Sequence, residues 1–210
     1  MDEYSYKLDN FLFPLISKIV KPNILEFGVE NGRSTLKFLD LCHKNNGYLF
    51  SVDTVDCSKI TKNSRWSFLQ TRDDNFELVK SKVPVQLDVI YLDSVHEASH
   101  VEKIFYAYYK MLKNGGYFFI DDISHIPYLK KKKRNNFYCE INNKETYNRI
   151  LDIYNSNSDL FDLNFSFKSS GLTIIKKNSN EPLRAKKKIK TRENSIKNFV
   201  RLLWKNLKRD

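Results

Sequence analysis

Short apolar runs alternate along this chain with segments whose apolar residues recur at helical spacing. The runs Asn23 to Phe27, Tyr48 to Val52, Ser67 to Gln70, Leu87 to Leu92 and Tyr117 to Ile120 read as strands. Between them, Ser34 to His43, Asp74 to Lys82 and Ala98 to Leu112 read as helices, and a further helix over Tyr6 to Val20 precedes the first strand. Strand and helix in regular alternation predict βαβ units around a mostly parallel sheet, an α/β fold. The stretch Ser124 to Asn142 has no period, and a helix follows near Lys144 to Tyr154. Phe161 to Phe167 and Leu172 to Lys176 then read as an antiparallel hairpin turned through Ser169, Ser170 and Gly171. No internal repeat is visible. The pattern predicts one domain over 1–178, then an appendage over 179–210 made of a polar linker and an amphipathic helix.

A hydrophobic fraction of 41% in 210 residues is enough for one sizeable core. The 36 Lys and Arg against 25 Asp and Glu give a net charge of +11, which at first suggests a nucleic-acid partner. Their location changes the picture: residues 184–210 hold eleven basic residues and only the acids Glu193 and Asp210, a net of +9. The body is nearly neutral, so a nucleic-acid role for it is disfavoured. The tail helix, about Glu193 to Lys208, lines up Ile196, Phe199, Val200, Leu203 and Leu207, with Lys197, Arg201, Trp204 and Lys205 around them. Such a basic amphipathic helix suits an anionic membrane surface, packing against the domain, or the seam of a homodimer. Cys42, Cys57 and Cys139 are odd in number and lack metal-ligand spacing, which predicts buried free thiols in a reducing, cytoplasmic setting. The apolar run Phe11 to Val20 is broken by Pro14 and Lys18 and reads as neither a signal peptide nor a membrane span.

The first strand runs into Glu26-Phe27-Gly28-Val29-Glu30-Asn31-Gly32-Arg33-Ser34, a turn with an acid, two spaced glycines and a helix start. Glycine serves where the backbone takes positive φ or lies against a ligand, and Ser34 is placed to cap the helix. Glu30 occupies the middle position of the dinucleotide fingerprint, where a carboxylate repels a pyrophosphate, and the third glycine is absent. A dinucleotide-dependent oxidoreductase is therefore disfavoured. The run Glu-x-Gly-x-x-x-Gly resembles motif I of the class I S-adenosylmethionine-dependent methyltransferases, whose loop wraps the methionine part of the cofactor. The resemblance implies a three-layer, Rossmann-like seven-stranded sheet, mostly parallel with the antiparallel hairpin at its end. It makes Glu26, Gly28, Gly32 and Ser34 cofactor-binding residues.

Ligands of open α/β sheets sit at the carboxyl ends of the strands. Those ends are acidic here: Glu26, Asp53, Asp93, and Asp121 with Asp122. Asp53 is placed to accept from ribose hydroxyls and resembles the family's motif II. After the third strand the family often has an acid that meets the adenine; Arg72, Asp73 and Asp74 stand there, and Asp73 is the candidate. The segment Leu92-Asp93-Ser94-Val95-His96, with Asp121-Asp122 after the fifth strand, resembles the metal-dependent O-methyltransferase branch, closest to the macrolide sugar enzymes. That resemblance, over about Asn23 to Asp122, implies Asp93, Asp121 and Asp122 as ligands of Mg2+, His96 as general base, and a hydroxyl of a sugar, glycan or related small molecule as acceptor. Carboxylate donors without cysteine suit such a hard ion, and a histidine takes a proton near neutral pH.

Two strings compete. His96-Glu97-Ala98-Ser99-His100 matches the H-E-x-x-H of zinc proteases, which needs both histidines on one helix face. It follows a strand-end Asp and lacks a third downstream ligand. Ile126-Pro127-Tyr128 only partly matches the amino-group methyltransferase motif and follows the wrong strand. The stretch Ser124 to Asn142, with Lys130 to Arg134, Phe137 and Tyr138, reads either as a lid over an anionic or glycan acceptor or as a solvated charged loop. The non-enzymatic alternative is a methyltransferase-like scaffold that binds nucleic acid or membrane through its tail.

Overall fold

The computed structural model describes residues 2–126, 137–193 and 195–207. Seven strands form one sheet: β1 (Asn23–Phe27), β2 (Tyr48–Asp53), β3 (Trp66–Gln70), β4 (Leu87–Leu92), β5 (Leu112–Asp121), β6 (Phe161–Ser166) and β7 (Leu172–Lys177), in the order β3-β2-β1-β4-β5-β7-β6. The first five run parallel, and β7 lies antiparallel between β5 and β6. This is the mostly parallel sheet with a closing hairpin that the resemblance implied. The order reverses between β1 and β4, which opens a crevice at their carboxyl ends.

All six residues of β4 are buried, as a central parallel strand covered on both faces requires. Alternation along each strand then divides the core. Leu25, Phe27, Ile90, Leu92, Phe118 and Ile120 face α4 (Phe76–Lys82), α5 (Ala98–Tyr109) and α6 (Phe137–Asn157). Ile24, Val89, Tyr91 and Phe119 face α3 (Arg33–Asn45) and the N-terminal helices. Phe105 of α5 is the hub of the first layer, meeting Phe118 and Phe161 edge to face with ring centroids 5.1 and 5.8 Å away.

Three elements differ from the pattern-based reading. The single helix over 6–20 is instead α1 (Glu3–Lys7), a π-helical turn (Leu8–Leu12) and α2 (Phe13–Ile16). Asp2 caps it early through Ser5 N–H, and Pro14, which has no N–H to offer, stands just past the widened turn. The helix expected over 144–154 begins at Phe137 and runs 21 residues. Asn143 is buried within it and donates to Ser124 O at 2.8 Å, a tertiary bond that overrides weak helix propensity. The third helix of the alternation, α5, ends at Tyr109, and β5 starts earlier than expected, at Leu112. The sequence's free cysteines are present as thiols, but Cys139 is exposed, unlike buried Cys42 and Cys57.

Beyond β7 the linker is strapped to the body. Arg184 pairs with Asp159, and Lys187 N and Ile189 N bond to Asp152 on α6. The tail helix α7 (Ile196–Leu207) follows. No helix among the described residues is long and apolar enough to cross a membrane.

Candidate active site

At the carboxyl edge of the sheet lies a cavity of about 740 Å³, within the size range of small-molecule sites. One side is built by the turn after β1. Gly28 takes φ +91° and runs so close to the turn after β4 that a Cβ there would lie 1.9 Å from the Asp93 carbonyl oxygen. Only glycine fits. Gly32, at φ +74°, is the N-cap of α3, and Glu30 between them also takes a left-handed φ of 48°. The turn is held from below by Asp53, whose Oδ2 accepts from Val29 N at 2.7 Å and Glu30 N at 3.1 Å while Oδ1 accepts from Val55 N. Partial burial pushes the Asp53 carboxyl up, but these N–H donors outweigh it and hold the group below its ordinary range. Asp53 lines the cavity, as do Thr54, Thr71, Arg72 and Asp73.

Glu26 is placed otherwise. It is fully enclosed beneath the turn and accepts from Ser34 Oγ (2.5 Å), Thr35 Oγ1 (2.8 Å) and Ser51 Oγ (2.7 Å). Burial pushes its carboxyl up to about 7, against the three hydroxyls. Ser34 therefore does not cap α3 as the sequence suggests; it sits in the first turn and donates to Glu26. Asp73 is likewise engaged: its Oδ2 accepts from Ser94 Oγ at 2.5 Å and bonds His100 Nε2 at 2.8 Å. Burial raises this carboxyl, and the His100 and Ser94 bonds more than reverse the effect. The neighbouring Arg72 turns away to Asp74. His100 thus serves Asp73 while His96 stands before α5 begins, so the H-E-x-x-H string does not lie on one helix.

The other side holds the acidic cluster, and here the structure adds groups that the strand-end pattern does not reveal. Asp121 is fully buried and is paired with the equally buried Lys7 of α1. It also accepts from Tyr91 OH at 2.6 Å, Ser170 Oγ at 3.1 Å and Asp122 N at 2.7 Å. Burial raises its carboxyl, but the Lys7 ammonium holds it below the usual range. Asp93 accepts from Tyr4 OH at 3.0 Å, and the Tyr91 hydroxyl, whose hydrogen is directed to Asp121, lies 3.2 Å from it. Burial and the nearby charges of Asp121 and Asp122 push it well above the usual range. Burial and the charges of Asp93 and Asp121 raise both phenols, which stay protonated as donors. His96 Nε2 stands 3.8 Å from Asp93 Oδ1 and 3.4 Å from Asp122 Oδ2, facing the cavity with them. Asp122 itself takes a left-handed φ of 56°, a strained conformation of the kind that gathers at functional sites. Cys139 and Asn143 of α6 and Ser170 of the β6–β7 turn close the wall. The proposed lid 124–142 and the Ile126-Pro127-Tyr128 string lie partly outside the described residues.

Asp93 and Asp122 present carboxylates to the cavity with excess negative charge around them, and Mg2+ is commonly held by only one or two carboxylates. Asp121, expected as a third ligand, is committed to Lys7, Tyr91 and Ser170 instead. Among the described residues no group of three His, Cys, Asp or Glu is arranged to hold a metal. Asp93 and Asp122 are the carboxylates of the expected set that stand beside His96 at the cavity wall.

Lys7 has a testable energetic role. Lys7→Met leaves a buried carboxylate without its cation and should destabilise the fold by about 3–5 kcal/mol in urea unfolding, with Asp121→Asn in the same chain restoring much of the loss. A change under about 1 kcal/mol would show that the pair carries little. For Glu26, a raised folded pKa means stability present below its unfolded value near 4.5 and lost as pH rises through about 7. Wild type should lose roughly 3 kcal/mol across that window, and Glu26→Gln should lack this component. Identical pH profiles for the two would refute the assignment.

A family model described as a methyltransferase domain matches residues 25–123, the span from β1 to the end of β5. No curated protein sequence matches the chain. Among solved structures, MycE methyltransferase from the mycinamycin biosynthetic pathway, in complex with Mg and SAH, is similar at 16% identity and a TM-score of 0.58, over 88% of this chain and 57% of that one. The chain thus spans little more than half of MycE. A caffeoyl-CoA O-methyltransferase candidate from Staphylococcus aureus is similar at 18% identity and a TM-score of 0.61, over 85% of both chains. SAH-bound PaMTH1 from Podospora anserina is similar at 15% identity and a TM-score of 0.59, over 75% of this chain and 72% of that one. At these identities the likeness is one of fold: residues 25–123 match the methyltransferase-domain model, and the seven-stranded sheet around them is that of the class I methyltransferase fold.

Proposed function

We propose that the chain transfers a methyl group from S-adenosylmethionine to a hydroxyl of a sugar, glycan or related small molecule. The observation that carries this reading is that one cavity joins the Gly28 turn and Asp53 to the His96, Asp93 and Asp122 group. The turn supplies close backbone approach, and Asp53 offers a half-exposed carboxylate for ribose hydroxyls. When bound, the cofactor supplies an electrophilic methyl whose sulfur takes the electron pair of the broken bond.

The residues do the rest. His96, flanked by two carboxyls, takes the acceptor's hydroxyl proton at Nε2, and the carboxyls favour the imidazolium that results. Tyr4 holds Asp93 in place, and the strapped turn fixes the line of attack. Asp93 and Asp122 are the residues that would hold Mg2+, which when bound stabilises a developing alkoxide. The polar wall of Asn143, Ser170 and Tyr4 suits a hydroxylated acceptor. Asp73 remains the candidate at the adenine end, through the carboxylate oxygen that Ser94 and His100 leave over.

Transfer of labelled methyl to a panel of hydroxylated glycans tests the reading. His96→Ala should lower turnover by about 10²–10⁴-fold while leaving cofactor affinity unchanged; unaltered turnover would remove it as the base. Asp53→Ala should weaken cofactor binding about tenfold or more, through the ribose contact and the loosened turn. An unaltered dissociation constant would reject that role.

A further inference from the structure

The proposed reaction makes no use of α7, yet this helix carries an exposed apolar stripe. Ile196, Phe199, Val200 and Leu203 follow the spacing that aligns side chains on one helix face. They are 84%, 63%, 56% and 50% exposed, respectively, and belong to neither core cluster. A contiguous apolar stripe left in water marks a docking surface. On its flank stand Lys197, Arg201 and Lys205, all exposed, and the preceding segment adds exposed Lys187, Lys188, Lys190 and Arg192. The linker before it is held to the body as far as Ile189. Asn157 Oδ1 accepts from Arg184 N at 2.7 Å, Asp152 holds Lys187 N and Ile189 N, and Lys186 pairs with Glu102 of α5. The body therefore presents α7 from a fixed point beside α6.

We infer that α7 docks the domain on an anionic lipid bilayer, with its apolar stripe among the acyl chains and its lysines and arginines at the headgroups. Charge complementarity selects this occupant. Two copies paired through the stripe would bring together tails of net +9 each, which repel. A nucleic acid would meet the charge but leave the stripe in water. An anionic bilayer satisfies both at once.

Co-sedimentation of the full chain with vesicles tests the inference. Vesicles of phosphatidylcholine mixed with phosphatidylglycerol should take up about tenfold more protein, or better, than phosphatidylcholine alone, and added salt should weaken the uptake. Replacing both Phe199 and Leu203 by Ser should reduce uptake about tenfold or more, with circular dichroism and the unfolding midpoint unchanged because α7 lies outside the core. Three results would overturn it: equal uptake by neutral and anionic vesicles, undiminished uptake by the serine variant, or a concentration-dependent dimer in light scattering that the serine changes abolish.

Discussion

The Asp121 carboxylate, with Lys7 on one side and Tyr91 and Ser170 on the others, is the constraint around which the site is assembled. It joins four distant parts of the chain: α1, β4, β5 and the β6–β7 turn. A carboxylate this deeply buried is tolerable only when paired and fully hydrogen-bonded. The pairing explains why the N-terminal helices pack so tightly on the sheet, and why Tyr4, one turn before Lys7, arrives at Asp93. Removing the ammonium would free negative charge at the point where Asp93 and Asp122 already repel each other.

The opposite wall follows a different rule. There the backbone, and not charge pairing, decides: the turn after β1 passes within contact of the turn after β4, and Gly28 is the only residue that allows it. Glu26 and Asp53 brace that turn from two levels, one by three buried hydroxyls and the other by three backbone donors. Two acids that look alike as strand ends thus have opposite electrostatic fates. The buried one is pushed up and the partly exposed one held down.

The fold was largely legible because its signals are local. Apolar runs and helical spacing locate the strands and most helices, and strand ends locate Asp53, Asp93, Asp121 and Asp122 at one edge. What escaped was set by single contacts and backbone constraints. Asn143 extends α6 by bonding Ser124, and Pro14 forces a wide turn that no periodicity shows. Lys7 was the largest omission, although Tyr4, Lys7, Leu8 and Phe11 share helical spacing and so place a cation on an apolar face. That anomaly was the available signal. The partners of Ser34, Asp73 and Glu26 were not available, since a hydroxyl or carboxylate at a turn reads alike whether it faces a ligand or braces a loop.

The proposed reaction requires the cavity to be a methyl-donor site. Calorimetric titration of the purified chain with S-adenosylmethionine, with and without Mg2+, tests it most directly. Saturable binding of one molecule per chain is expected in both buffers, because the Gly28 turn and Asp53 supply no side chain to the acidic cluster. Absence of binding in either buffer would contradict it.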